Sequence, residues 1–315
     1  MAWRAVGVAL LFAAVITTSA TPVVAGSPPV PPTVTPGTSS QIAALVAAST
    51  RIKVLPAATV PSLAAAATDN QATYEPSTMP SCTTPAQCVF GDTSSHHILV
   101  LLGDSHVATW IPALLPMARS LGLRIVLFWY PSCPAASVTI WYFKINGPYT
   151  ACDSFRTASI AAIRSLQPEL VMLGDSTTRK LSPTNPSKAI TAAVWTAGLE
   201  KTIKELRSPR TRVAVFEDIT PLNLPPSQCL AANPSNVQSC GAPNPNPVVH
   251  SLQPAEAAAA KALRAPYIKT EQWLCDARCS PIVGKLIVYS DTDHFTYTYG
   301  EFLAKVVRAK VQTLL

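Results

Sequence analysis

From residue 98 onward, short unbroken apolar runs alternate with stretches of helical spacing, and this alternation limits the fold more than any other feature. Ile98-Leu99-Val100-Leu101-Leu102-Gly103 is continuously apolar and ends in Gly, as a strand buried on both faces would be. Residues 107–121 have helical periodicity with Gly122 just beyond. Strand-like runs then recur at 124–129, 169–174 and 212–216, with shorter candidates at Tyr267-Ile268 and 285–289. Between and after them, 151–166, 192–206, 255–264 and 298–310 read as helices. Strand alternating with helix predicts an α/β protein whose parallel sheet is covered on both faces. Ligands of such sheets bind at the carboxyl ends of the strands, so the loops after Gly103, Tyr130, Gly174 and Glu217 are expected to share one crevice.

Outside this region the pattern is different. Met1-Ala2-Trp3-Arg4, a short apolar centre and small residues up to Ala20 or Ala25 describe a secretory signal peptide over 1–25. An uncleaved N-terminal anchor is the alternative, and both put the remaining chain outside the membrane. Residues 26–40 are rich in Pro, Ser and Thr and read as a linker. Residues 41–90 read as an N-terminal extension packed on a main domain spanning 91–315. The longest apolar run is too short for a polytopic membrane protein.

Composition narrows the function classes. The net charge is +7, but the densest basic group, Lys201, Lys204, Arg207, Arg210 and Arg212, is interleaved with Glu200 and Glu205 and reads as a solvated helix face. No motif supports nucleic-acid binding. The 8 Cys fall into neighbouring pairs: Cys82/Cys88, Cys133/Cys152, Cys229/Cys240 and Cys275/Cys279. Eight cysteines allow 105 pairings. Pairing of neighbours is expected, because each pair brackets a loop that a disulfide would restrain. Export favours disulfides over thiolates, and Cys275-x-x-x-Cys279 lacks a second half at zinc spacing, so no metal and no cofactor are expected.

Two segments carry chemistry. Gly103-Asp104-Ser105-His106 lies between a strand and a helix, where Asp or Ser can cap the helix and Ser105 can equally act as a nucleophile. Ser290-Asp291-Thr292-Asp293-His294 precedes the last helix. A serine hydroxyl needs an imidazole to take its proton, and the imidazole needs a carboxylate to fix its tautomer. Asp291 and His294 supply both from one loop, with Asp293 as the other candidate carboxylate. Trp110, Trp129, Trp141 and Tyr142 are candidates for a sugar-stacking surface or, for most of them, for the core. The Pro-rich segment 221–247 is read as a loop able to exclude water from the site.

These residues resemble the SGNH (GDSL-like) hydrolases and acyltransferases, above all the extracytoplasmic SGNH domain usually fused to integral-membrane acyltransferase-three proteins. The resemblance rests on Gly103-Asp104-Ser105-His106 followed by Trp110, on Cys133-Pro134 with Cys152 before Arg156, and on the segment from Val288 to His294. It spans roughly residues 52–312. It implies a three-layer α/β/α flavodoxin-like fold with a central parallel sheet of about five strands. It makes Ser105 the nucleophile, His294 the general base and Asp291 its orienting carboxylate. Oxyanion donors in the superfamily are the nucleophile's amide, a Gly amide after the second strand and an Asn after the third. Here Ser132 and Ser176 stand at the latter two places.

The resemblance thus implies an acyl-serine intermediate whose acyl group passes to water or to a sugar hydroxyl of a cell-envelope glycan. The signal peptide is expected to stand here in place of the membrane domain of that branch. A separately encoded membrane acyltransferase as partner, or independent action as an esterase, are the two expectations that follow. A non-catalytic glycan-binding or scaffold domain with a degraded oxyanion hole is the alternative.

Overall fold

The computed structural model describes residues 29–78, 81–244 and 251–315; the signal peptide expected over 1–25 lies outside them. Its sheet is built from β1 (Val89–Gly91), β2 (Ile98–Gly103), β3 (Arg124–Trp129), β4 (Leu170–Gly174), β5 (Arg212–Phe216) and β6 (Tyr267–Ile268). The spatial order is β1-β3-β2-β4-β5-β6. All neighbours are parallel except β1, which pairs antiparallel with β3 at the edge. Without β1 the order is 2-1-3-4-5, the flavodoxin-like winding, in which the chain reverses direction between the first and third parallel strands.

Alternate residues of each strand face opposite layers. Leu99, Leu101, Ile125, Leu127, Leu170, Met172, Ala214 and Phe216 share a core with the helices Ile111–Leu121 and Tyr297–Val311. Val100, Leu102, Val126, Phe128, Val171, Leu173, Val213 and Val215 share the other with the helices Thr150–Leu166, Ala192–Leu206 and Gln253–Ala262. Covering both faces is what lets these strands be apolar on both sides.

Three sequence expectations change. Residues 107–121 form two helices, Ser105–Ala108 and Ile111–Leu121, because the chain breaks at Thr109-Trp110 and restarts with Pro112 in the first turn, where a missing N–H costs nothing. The strand expected at 285–289 contributes only Leu286–Ile287, paired with Ile282–Val283 outside the main sheet. The segment 221–247 is not a plain loop, since it carries the helix Pro226–Ala232 and a 3₁₀ turn, Val237–Cys240.

The extension enters the first of these cores, with Ile42, Val46, Cys82, Cys88 and Phe90 among the residues it contributes. Its helix Ser39–Ser49 starts with a capping box at Thr38 and buries Ile42 and Val46. The neighbouring cysteines are joined as Cys82–Cys88, Cys133–Cys152, Cys229–Cys240 and Cys275–Cys279.

Candidate active site

The loop after β2 can pass close to β4 only because both carry Gly. A Cβ on Gly103 would lie 1.9 Å from the carbonyl oxygen of Gly174. Asp104 then staples the loops. Its Oδ1 accepts the amide of His106 at 2.9 Å, starting the helix, and its Oδ2 accepts the amide of Ser176 at 3.0 Å. Asp175 does the same for the loop after β3, accepting the amides of Ala135 at 2.7 Å and Ala136 at 3.3 Å. Burial and the neighbouring charge of Asp104 push the Asp175 carboxyl up to about 7, although those amides pull it down.

Ser105 opens that short helix, and 189 residues later His294 meets it. The Ser105 hydroxyl donates to His294 Nε2 at 2.8 Å. His294 Nδ1 donates to Asp291 Oδ2 at 2.9 Å, and Asp293 Oδ1 lies 3.3 Å from the same nitrogen. Asp291 Oδ1 also accepts the amides of Asp293 and His294, at 2.9 and 2.8 Å, so this carboxylate shapes its own loop. Burial depresses the His294 imidazole, but its hydrogen bonds to Asp291 and Asp293 and the charge of Asp291 outweigh it, raising the group to about 9. Asp293 is held far below the usual carboxylate range; burial opposes this, and hydrogen bonds from both His106 and His294 override it.

Ser105, Ser132 and Ser176 line one cleft of about 280 Å³. Ser132 has φ +56°, the left-handed conformation that Gly adopts most readily. The amide of Ser176 is spent on Asp104, and its hydroxyl lies 3.0 Å from the Thr178 hydroxyl, so only its side chain is offered to the cleft. Trp141, Phe143, Arg179, Lys180 and Leu181 form the rest of the rim, and among the described residues 221–244 contribute nothing to it. Among the described residues, the cleft wall is therefore built from these two segments and not from 221–244. Trp110, Trp129 and Tyr142 are buried, whereas Trp141 is half-buried at the cleft.

Sequence reading did not anticipate Asp218. It follows β5 and accepts from His106 Nδ1 at 2.6 Å, 112 residues away. A buried Asp in one of the loops expected to line the crevice was the only local signal. Among the described residues, the nearest approach to a metal-ligand set is His106, Asp293 and His294, with one donor atom each within 4.8 Å. Those atoms already serve one another and Ser105: His294 has both nitrogens committed, and His106 has Nδ1 on Asp218.

The periplasmic domain of the lipopolysaccharide acetyltransferase of Salmonella ser. Paratyphi A has a similar fold, at 17% identity and TM-score 0.55, covering 70% of this chain and 85% of that one. Est24, a carbohydrate acetylesterase from Sinorhizobium meliloti, is 13% identical with TM-score 0.43, covering 70% of this chain and 100% of that one. No curated protein matches the chain. Residues 63–309, most of the sequence, match the model of the SGNH domain that is found fused to AT3 domains, and the chain belongs to that family.

Proposed function

We propose that the chain is an extracytoplasmic serine enzyme that transfers an acyl group through Ser105, acting as an O-acyltransferase or an esterase on cell-envelope glycans. The observation that carries the reading is the unbroken series from the Ser105 hydroxyl to His294 Nε2 and from His294 Nδ1 to Asp291. His294 takes the Ser105 proton as Oγ attacks the acyl carbonyl, forming a tetrahedral adduct. His294 then returns that proton to the departing alcohol or thiol as the adduct collapses to acyl-Ser105. Water or a sugar hydroxyl attacks next, giving its proton to His294, and Ser105 leaves with that proton.

The oxyanion would be met by the amides of Ser105 and Ser132 and by the Ser176 hydroxyl. The left-handed turn at Ser132 supports this, because it gives a Ser the backbone of the Gly usual there. Family membership supports a membrane acyltransferase as the acyl supplier, and the half-buried Trp141 with exposed Phe143 at the rim suits a sugar ring as acceptor. The four disulfides favour an oxidising compartment.

The test is p-nitrophenyl acetate with intact-mass detection. Wild type is expected to release p-nitrophenol in a burst and to carry one acetyl group, and Ser105→Ala to do neither. Equal release and no adduct in both proteins would reject the reading and leave a glycan-binding domain. Adding a soluble glycan and following adduct decay separates transfer from hydrolysis.

A further inference from the structure

His106 follows the proposed nucleophile directly, and its side chain borders both the cleft and a recess beside Asp218. Nδ1 donates to Asp218 Oδ1 at 2.6 Å, and Nε2 lies 3.5 Å from Asp293 Oδ2. The two partners on the Nδ1 side are sealed, with side-chain exposures of 6% for His106 and 0% for Asp218. Asp218 is itself fixed, accepting the amide and hydroxyl of Thr177 at 2.7 and 2.9 Å and the amide of Ile219 at 2.8 Å. A neutral imidazole has one N–H, so carboxylates at both ring nitrogens select the doubly protonated, positively charged form. The His106 ring meets the His294 ring edge-on, with centroids 5.0 Å apart. Asp293 divides its carboxylate between them, Oδ2 toward His106 and Oδ1 toward His294.

We propose that His106, clamped by Asp218, is a positioning residue for the Ser105 chemistry: it anchors Asp293 and sets a positive charge beside His294. This rests on the reading of Ser105 and His294 given above. The physical need is clear from the surroundings of His294. A base flanked by both Asp291 and Asp293 binds a proton so tightly that it is slow to collect one from Ser105 at neutral pH. A fixed cation draws Asp293 away and repels a second positive charge, and both effects weaken that binding.

The other charged groups facing His106 are acidic: Asp104 from its own turn, Asp175 and Glu217 in the recess below, and Asp293 from the last loop. Burial works against the charged form of His106, but the charge and hydrogen bond of Asp218, with Asp293 and Asp104 behind them, hold it well above the usual histidine range. The charge of His106 in turn acts to lower His294.

The test follows the imidazoles of ¹⁵N-histidine-labelled protein by ¹H–¹⁵N NMR across pH, alongside the pH profile of Ser105-dependent p-nitrophenyl acetate hydrolysis. His106→Gln should raise the His294 midpoint by about one pH unit, and the acid limb of kcat/KM with it. Asp218→Asn, which leaves His106 in place but releases its proton, should move both the same way. Asp293→Asn should move both down, since it strips a negative charge from His294. Unchanged His96 and His97 signals report that each variant is folded.

A folded His106→Gln or Asp218→Asn protein with an unmoved His294 midpoint overturns the proposal. So does a lower rate on an unmoved limb, which is what a purely structural role would give. Should wild type show no Ser105-dependent release, the proposed function fails, and the NMR midpoints decide the role of His106 independently.

Discussion

At the scale of single residues, His294 sits between two carboxylates that compete for one N–H, and the outcome sets the working pH. With the imidazole raised to about 9, the base proposed at His294 becomes available only as pH climbs toward that value. Ser105-dependent kcat/KM is expected to rise about tenfold per pH unit from neutrality and to level off above about 9, measured with Ser105→Ala as background. The same shift stabilises the fold below the unfolded histidine value near 6.5, and this contribution is lost as pH rises through about 9. Ser132 makes a different prediction. A left-handed non-Gly residue costs about 1–3 kcal/mol, so Ser132→Gly should leave stability unchanged or raise it by up to about 1 kcal/mol after the Gly entropy cost. If the amide is what serves the oxyanion, Ser132→Gly also keeps kcat, while Ser132→Val loses both; urea midpoints and initial rates with p-nitrophenyl acetate read the two effects.

At the scale of elements, the site exists where β2 and β4 run side by side with Gly103 paired to Gly174. Gly103→Ala puts a methyl 1.9 Å from a backbone oxygen that cannot move without breaking the sheet. A loss of about 3 kcal/mol or more is expected, seen as a lower thermal midpoint or as failure to accumulate folded protein. The strands and most helices were legible because a both-faces-buried strand and an amphipathic helix leave different local periods. The break at Thr109-Trp110 was not, because Val107, Ile111, Leu114 and Leu115 keep the apolar helical period across it. Tertiary packing adds to the local stop at Pro112, which has no N–H to give Ala108: Trp110 stacks on Phe216 with ring centroids 4.6 Å apart, a contact with β5 that periodicity does not encode.

At the scale of the whole molecule, Cys133–Cys152 ties the turn holding Ser132 to the start of the helix Thr150–Leu166, across 19 residues. Replacing both cysteines by Ala should cost about 3 kcal/mol in urea unfolding by the loop-entropy argument. It should also lower kcat more than KM, because Ser132 loses its anchor while the cleft rim at Trp141 and Lys180 stays. The densest basic group stands apart from this site: Lys204 pairs with Glu200 and Lys201 approaches Glu205 on a solvated helix face, while Arg179 and Lys180 are the basic residues on the cleft rim.

The sequence by itself determined the layered α/β architecture and offered Ser105, Asp291 and His294 as candidates, since strand and helix periods and the two short segments that hold these residues are local patterns. Only the tertiary structure decided that Asp291 and Asp293 both reach His294, that Ser176 spends its amide on Asp104, and that Asp218 holds His106. The last two pairings join loops far apart in the chain. They depend on strand register and on which strand ends converge at the reversal of winding, and no local pattern of residues carries that information.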